Sequence, residues 1–365
     1  MNKASFKKGP IFVSGVDGDK GIAIVQQLLQ FPKQYRHLSG LPIRAGVSDN
    51  LSPQVKKLEE MGAETVLFDA INNPTSSVVH AISGSAKLCL LIDPLSEHIK
   101  RSNAFQYGKT VIDAAKQANV EHIIFLTPFT PLDTFTPPSS PVSLSSSSSS
   151  NSWDSTSSSN KNGDHKNSYV SYRSQFMLIE SYLQGQFGSD HITILRYPGV
   201  LFQHLVVFGQ YIAQHNAFPL PKQQSEMTVE SCNLIDIARA TACIAYSPTF
   251  RHCRNSYIIT SPQLLTLEEV SQKVLQGLEC ENDTINFMDL TTLQSILTQS
   301  IGNEEHALFL LEMWGISRKE VGRRLEITRD LEALTGQSGK TLNEYLKEKG
   351  VRDAFLSPSA TFKVA

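Results

Sequence analysis

At 365 residues, with 40% apolar and 19% charged residues, the chain is long enough to bury a sizeable core in one large domain or two modest ones. A formal net charge of −2 removes the electrostatic case for nucleic acid or an anionic membrane as a partner. No apolar run reaches the roughly 18 residues needed to span a bilayer, and the opening MNKASFKKGP is basic without an apolar segment before a cleavage site, so neither insertion nor export is expected. The five cysteines are odd in number and form no CxxC pair, which argues against a disulfide frame or a zinc site. A reducing compartment fits them: the cytoplasm, with the nucleus as an alternative.

The first predicted strand is Ile11-Phe12-Val13, and Gly15, Gly18 and Gly21 follow it at a spacing of three before an amphipathic helix whose apolar face carries Ile22, Val25, Leu28 and Leu29. Strand, tight turn and helix in that order make a site for a pyrophosphate. Gly15 allows the sharp turn, Gly18 lets a ligand reach the backbone, Gly21 lets the helix pack closely, and the helix N-terminus faces the turn. Asp17 and Asp19 stand against that reading because they place carboxylates where a phosphate would sit, and Lys20 offsets one at best.

Further strands are predicted at Leu41–Val47, Glu64–Phe68 (closed by Asp69), Leu88–Ile92 and His122–Leu126. Helices fall between them: one opened by Ser52-Pro53, one by Asn73-Pro74, and one running through Val111, Ile112, Ala114 and Ala115. Such alternation predicts a doubly wound parallel sheet of the Rossmann type, an α/β fold, since parallel neighbours need a crossover. Ligands in that architecture sit beyond the C-terminal strand ends, so the loops that matter begin at Ser14, Ser48, Asp69, Asp93 and Thr127.

From residue 130 to 168 the composition turns to serine, proline and asparagine around the run Ser145–Ser150, which predicts a disordered insertion, either a tolerated loop or a phosphorylated segment. A helix through Phe176, Ile179, Glu180 and Leu183 follows, then a sixth strand at Ile192–Leu195 and a turn at Arg196–Gly199. Beyond it the pattern predicts helical segments from Leu201 to His215, a polar loop at Pro219–Glu226, a helix at Leu234–Tyr246, and a short strand at Tyr257–Ile259. A helix to Gly277, a segment at Ile285–Met288 and an apolar helix around Ala307–Leu311 complete it. Residues 1–129 and 169–200 are thus expected to form the sheet domain, and 201–365 a mostly helical cap. His204 and His215 lack a third ligand in the sequence, so no metal site is expected. Cys89, in a core strand, is expected to be inert.

Several segments, in order, resemble the NmrA-like family of atypical short-chain dehydrogenases/reductases. They are IFVSGVDGDKG, GAETVLFDAINN, VIDAAKQANVEHIIFL, YRSQFMLIESYL, ITILRYPGVLFQHL, NLIDIARATACIA and YIITSPQLLTLEEVSQKV. The resemblance implies a Rossmann-type domain that binds NADP, or alternatively NAD, with a substrate or partner cleft under the C-terminal part. It assigns dinucleotide contacts to the turn (Gly15, Gly18, Gly21), to Arg44 and Ser48 on the second strand, to Asp69 and Ala70, and to Asp93 and Pro94; Asp17, Lys20 and Thr127 lie in the same loops and are counted with these candidates. Arg44 favours NADP as a cation for the 2′-phosphate; Ser48 with Asp49 beside it does not.

Catalytic members of the wider group use a tyrosine as proton donor with a lysine four residues on. Here Tyr169 is followed by Arg173, and the alternative frame puts Ser171 and Gln175 in those places. Thr127 keeps a hydroxyl where such enzymes carry a serine. Tyr169, Arg173 and Thr127 are the catalytic candidates, but arginine titrates too high to relay a proton. The missing pair suits a dinucleotide-binding sensor or regulator acting on a protein partner. The alternative is an NAD(P)H-dependent reductase of fungal secondary metabolism acting on a small imine, enone or carbonyl compound. An open pocket lined by Tyr197, Phe202 and Phe208 would favour the reductase, and a filled cleft the sensor.

Overall fold

The structure is a computed structural model and describes residues 9–35, 40–49, 53–130, 171–280, 284–316 and 325–356. The serine-rich insertion and Tyr169 lie outside the described residues. Six strands in chain order, β1 (Ile11–Val13), β2 (Ile43–Val47), β3 (Glu64–Leu67), β4 (Lys87–Leu91), β5 (His122–Thr127) and β6 (Ile192–Arg196), join one sheet. All pairings in it are parallel. Helices α1 (Asp19–Gln34), α2 (Pro53–Glu60), α3 (Thr75–Ile82), α4 (Ala104–Gln117) and α5 (Tyr172–Phe187) make the crossovers. Helices on both faces leave β1, β4 and β5 buried along their whole length, which is why these strands read as unbroken apolar runs.

The strand order places β1 between β2 and β4, so the chain reverses direction across the sheet at β1 and β4. The crevice above their C-terminal ends is where a doubly wound sheet receives a ligand. Ser14 fastens that seam: its hydroxyl donates to the Leu91 carbonyl and accepts from the Leu91 N–H, each at 3.0 Å.

A seventh strand, Ser256–Ile258, pairs in parallel with β6 at the sheet edge. The segment expected to form only the cap therefore also returns a strand to the sheet. Its crossover helix, Leu234–Tyr246, packs on α1, and the Tyr246 hydroxyl donates to the Leu28 carbonyl at 3.0 Å. Asn233 caps this helix, accepting from the Ile235 N–H at 2.8 Å. Asp236 instead ties down the C-terminal segment: it accepts from the Lys340 N–H at 2.8 Å and pairs with Arg239, which also donates to the Ser338 carbonyl.

The predicted polar loop at Pro219–Glu226 begins instead as a strand, Ala217–Pro221, paired in parallel with Thr284–Met288. It tolerates Pro219 and Pro221 because it is bonded on one side only. Helices Leu290–Ile301 and Glu304–Met313 belong to the cap, and short helices at Asp330–Thr335, Leu342–Leu346 and Val351–Leu356 follow; the region is mostly helical as expected.

Candidate functional site

The three glycines of the first turn are each required by what surrounds them. Gly15 has φ +65°, a left-handed conformation, and a Cβ on it would lie 2.8 Å from the Leu91 carbonyl oxygen. A Cβ on Gly21 would lie 2.5 Å from the Gly15 carbonyl oxygen, so the first turn of α1 can sit directly on the loop only without a side chain there. Gly18 is the N-cap of α1 and supplies no side-chain cap, so no side chain of its own covers the helix N-terminus. What approaches Gly18 from across the crevice is Asp93, from the end of β4: a Cβ on Gly18 would overlap the Asp93 Oδ2. Asp93 Oδ1 pairs with Lys20 Nζ at 2.8 Å, and both side chains are buried. The backbone cradle thus fits a pyrophosphate, while one of the chain's own carboxylates rests on it.

A small cleft of about 20 Å³ continues from the turn, lined by Gly15, Asp17, Ser48, Asp69, Asp93 and Tyr107 among others. Asp17 does not point loose into it. Its Oδ1 accepts from the Ser48 N–H at 2.7 Å and the Ser48 hydroxyl at 2.9 Å, joining the β1 and β2 loops. Burial raises the Asp17 carboxyl above its ordinary range, and Asp93 nearby adds to that. Asp69 turns its carboxylate onto its own loop, accepting from the N–H groups of Ile71 and Asn72 at 2.9 Å; partial burial opposes ionisation, but these bonds hold its carboxyl below the usual range. Ala70 and Pro94 are buried beside these loops.

Arg44 lies elsewhere. It is the second residue of β2, near the N-terminal end of the strand, and its guanidinium donates to the carbonyls of Ala81 (3.1 Å) and Ser83 (2.8 Å) at the end of α3 and pairs with Glu64 at 3.1 Å. The three residues after it carry the chain roughly 10 Å further to the ligand edge. The expectation that Arg44 would hold a 2′-phosphate is corrected on this ground: a side chain fastened at the opposite end of its strand does not serve the crevice.

At the β5 and α5 end of the crevice the surroundings are different. Thr127 is buried, and its hydroxyl accepts from the Phe129 N–H at 3.2 Å. Arg173 donates to the Thr130 carbonyl at 2.9 Å and lies 4.9 Å over the Phe129 ring. In the alternative frame, Ser171 is the N-cap of α5, bonded to the Ser174 N–H, and the Gln175 amide oxygen accepts from the Phe105 N–H at 3.1 Å. Tyr172 is fully buried against Phe309, with ring centroids 5.1 Å apart, and Phe129 packs on both Phe176 and Phe309. Four aromatic rings therefore fill the space at the start of α5.

Two carboxylates from the cap helix Glu304–Met313 hold that packing in place. Glu312 accepts from the N–H groups of Tyr172 (3.0 Å) and Arg173 (2.8 Å), which makes it a cap for α5 supplied by a distant part of the chain. Glu305 takes a bidentate pair from Arg101 at 3.0 and 2.7 Å and the Tyr172 hydroxyl at 3.3 Å. Arg101 holds the Glu305 carboxyl below its ordinary range. Burial, with Glu305 adjacent, pushes the Tyr172 phenol upward, away from the range of a proton donor at neutral pH. Sequence reasoning missed both glutamates. Their spacing of seven, two helical turns on one face, was the available signal.

α5 itself is fixed to the sheet by a buried pair: Arg196 donates to both Glu180 oxygens at 3.0 and 2.7 Å and to the Phe129 carbonyl at 2.9 Å. Tyr197, Phe202 and Phe208 are buried in the core; Phe202 packs on Tyr345, and Phe208 on Phe218 and Trp314. A separate cavity of about 150 Å³ lies beyond the β5 and β6 ends, lined by Pro128, Arg173, Pro198, Gly199, Glu230 and Trp314 among others. Cys89 is fully buried, and burial pushes its thiol up to about 12, so it stays protonated and unreactive. Among the described residues no helix is long and apolar enough to cross a membrane, and no group of three or more His, Cys, Asp or Glu could hold a metal ion.

Residues 7–139 match the model of the NmrA-like family. A curated relative, an NmrA-like family domain-containing oxidoreductase of Penicillium ochrochloron, is 29% identical over 120 residues, which is 32% of this chain and 33% of that protein's length. The fold is similar over most of the chain to solved structures of low identity. A nucleoside-diphosphate-sugar epimerase from Staphylococcus aureus covers 93% of this chain and 100% of its own at a TM-score of 0.65 and 16% identity. Triphenylmethane reductase from Citrobacter sp., complexed with NADP(H), covers 92% and 99% at 0.64 and 18%. NmrA, a negative transcriptional regulator in complex with NADP, covers 94% and 95% at 0.61 and 13%. Residues 7–139 thus resemble the NmrA-like family, and the chain has a Rossmann-type fold of the kind seen in solved reductases and a transcriptional regulator.

Proposed function

We propose that this protein is an NADP(H)-binding sensor or regulator of the NmrA type that binds the dinucleotide without turning it over efficiently. The observation that carries the reading is the filled start of α5, where Tyr172 and Arg173 are held by Glu305, Glu312 and the aromatic cluster. When bound, NADP(H) supplies a hydride donor or acceptor. The chain's own residues would hold it through the backbone donors of the Gly15, Gly18 and Gly21 turn, with Asp17, Ser48 and the Asp69–Ala70 loop beside its adenosine end. NADP is preferred over NAD because the Citrobacter reductase and NmrA structures hold NADP(H); Arg44 contributes nothing to that choice. The location that suits such a regulator is the cytoplasm or the nucleus, and its partner would be a protein.

A second reading is an NAD(P)H-dependent reductase. It draws on the 150 Å³ cavity beside Arg173 and Trp314, a volume that admits a ligand the size of benzene, and on the oxidoreductase description of the Penicillium relative.

Calorimetric titration with NADP+, NADPH, NAD+ and NADH, repeated on Gly18→Asp, tests the proposal. Micromolar binding that is lost in the variant supports the turn as the site, and a marked preference between oxidised and reduced forms supports the sensor. No binding by any of the four overturns it.

A further inference from the structure

The glycine turn is shaped for an anion, and the anion on it belongs to the chain itself. Asp93 reaches across the reversal point of the sheet, from the end of β4 to the loop after β1, and its Oδ2 fills the space a Gly18 side chain would take. Its Oδ1 accepts from the Leu95 N–H at 3.1 Å and pairs with Lys20, and the two side chains are only 2% and 4% exposed. Lys20, in the first turn of α1, thus already commits its charge to Asp93. Asp17 and Asp69 line the same cleft, so a phosphate arriving at the turn meets three carboxylates and a lysine already engaged. From the cap side, His306 hydrogen-bonds the Ser96 main chain close to Asp93, and His204 lies near enough to feel the charge of Lys20.

We propose that Asp93 is an internal competitor for the pyrophosphate position, and that Lys20 is a shared cation which passes from Asp93 to the incoming phosphate when a dinucleotide binds. This rests on the reading of the turn as a dinucleotide site. Two like charges cannot both occupy a buried position beside a single cation, so binding requires the Asp93 carboxylate to leave Gly18. Asp93 thus sets the affinity of the site, and it discriminates by ligand charge: it opposes phosphates and is indifferent to an uncharged nucleoside. Its role is distinct from that of the glycines, which give the site its shape.

The test is calorimetric titration of the full chain and of Asp93→Asn with NADP+ and, separately, with adenosine, alongside thermal melts. The expected result is a Kd for NADP+ at least about tenfold tighter in Asp93→Asn, with adenosine affinity equal in the two proteins. Asp93→Ser is made in parallel, so that a folding failure of the asparagine variant leaves the comparison intact. If NADP+ binds the natural chain and a well-folded variant equally, or the variant more weakly, Asp93 is no competitor, and the dinucleotide reading stands without it. A parallel gain for adenosine also overturns the proposal, since it would mean only that the cleft had widened. If neither the natural chain nor the variants bind NADP+, both the competitor and the dinucleotide reading fall.

Discussion

The two ends of the crevice differ in what fills them. At the glycine turn the surface is backbone, shaped by positions that tolerate no side chain, and the group resting there is the buried, paired carboxylate of Asp93. At the start of α5 the surface is packed: four aromatic rings and two glutamates from a helix more than a hundred residues away in sequence close it like core. A fold that catalyses hydride transfer needs both ends, one to hold the nucleotide and one to place an acid and a substrate. Here the glycine turn is kept in form and the start of α5 is packed, with a cavity of about 150 Å³ beside Arg173; the proposed regulator rests on the packing and the reductase reading on the cavity.

The comparison can be broken most forcefully at the filled end. Phe309 is fully buried between Tyr172 and Phe129, so Phe309→Ala is expected to cost about 3–5 kcal/mol of stability in denaturant unfolding. A loss under about 1 kcal/mol would mean that the rings pack loosely and the end is open. Glu312→Ala comes next: it leaves the Tyr172 and Arg173 N–H groups without this acceptor, and is expected to cost about 1–3 kcal/mol and to speed proteolysis at the start of α5. Glu312→Gln should recover most of that loss.

A source of acid sensitivity outside both ends lies at the opposite edge of the sheet. His122, buried at the start of β5 with its Nε2 on the Thr193 hydroxyl at 2.8 Å, has its pKa pushed by burial, with the Lys87 charge adding, from 6.5 down to about 3. Between those values the unfolded chain binds the proton and the folded chain does not. The stability from this group is therefore complete above about pH 6.5 and is lost as pH falls toward about 3. Thermal melts across that window should show the decline, and His122→Gln should flatten it. The smallest effect is expected at Arg44: Arg44→Ala should leave NADP+ affinity within about twofold, since its bonds are made at the far end of β2. A loss of tenfold or more in titration would return it to the site.

Much of this was legible in the chain. The alternation from Ile11 to Thr127 follows from apolar runs separated by capping signals, and each glycine of the turn has the kind of local reason that spacing implies. Predicted strand ends fell within two residues, as with Leu41–Val47 against the observed Ile43–Val47. The misses share a different cause. Ala217–Pro221 hid behind two prolines that an edge strand tolerates, and the strand expected at Tyr257–Ile259 was found at Ser256–Ile258, but its pairing with β6 in the main sheet is a long-range contact that local pattern does not show. Arg44 has the right chemistry in the right strand but lies at its wrong end. Glu312 and Asp93 act through partners 140 and 75 residues away, Tyr172 and Gly18, and local pattern carries no information about such contacts.

The most direct measurement follows NADPH absorbance with the protein at saturating nucleotide, in the presence of a quinone acceptor such as menadione, against a protein-free control. Binding without turnover predicts that NADPH decays no faster with the protein than without it, while titration on the same sample shows the nucleotide bound. Catalytic, protein-dependent decay that survives removal of contaminants and is abolished by Gly18→Asp would contradict it, and would mean that the rings at the start of α5 part for a substrate.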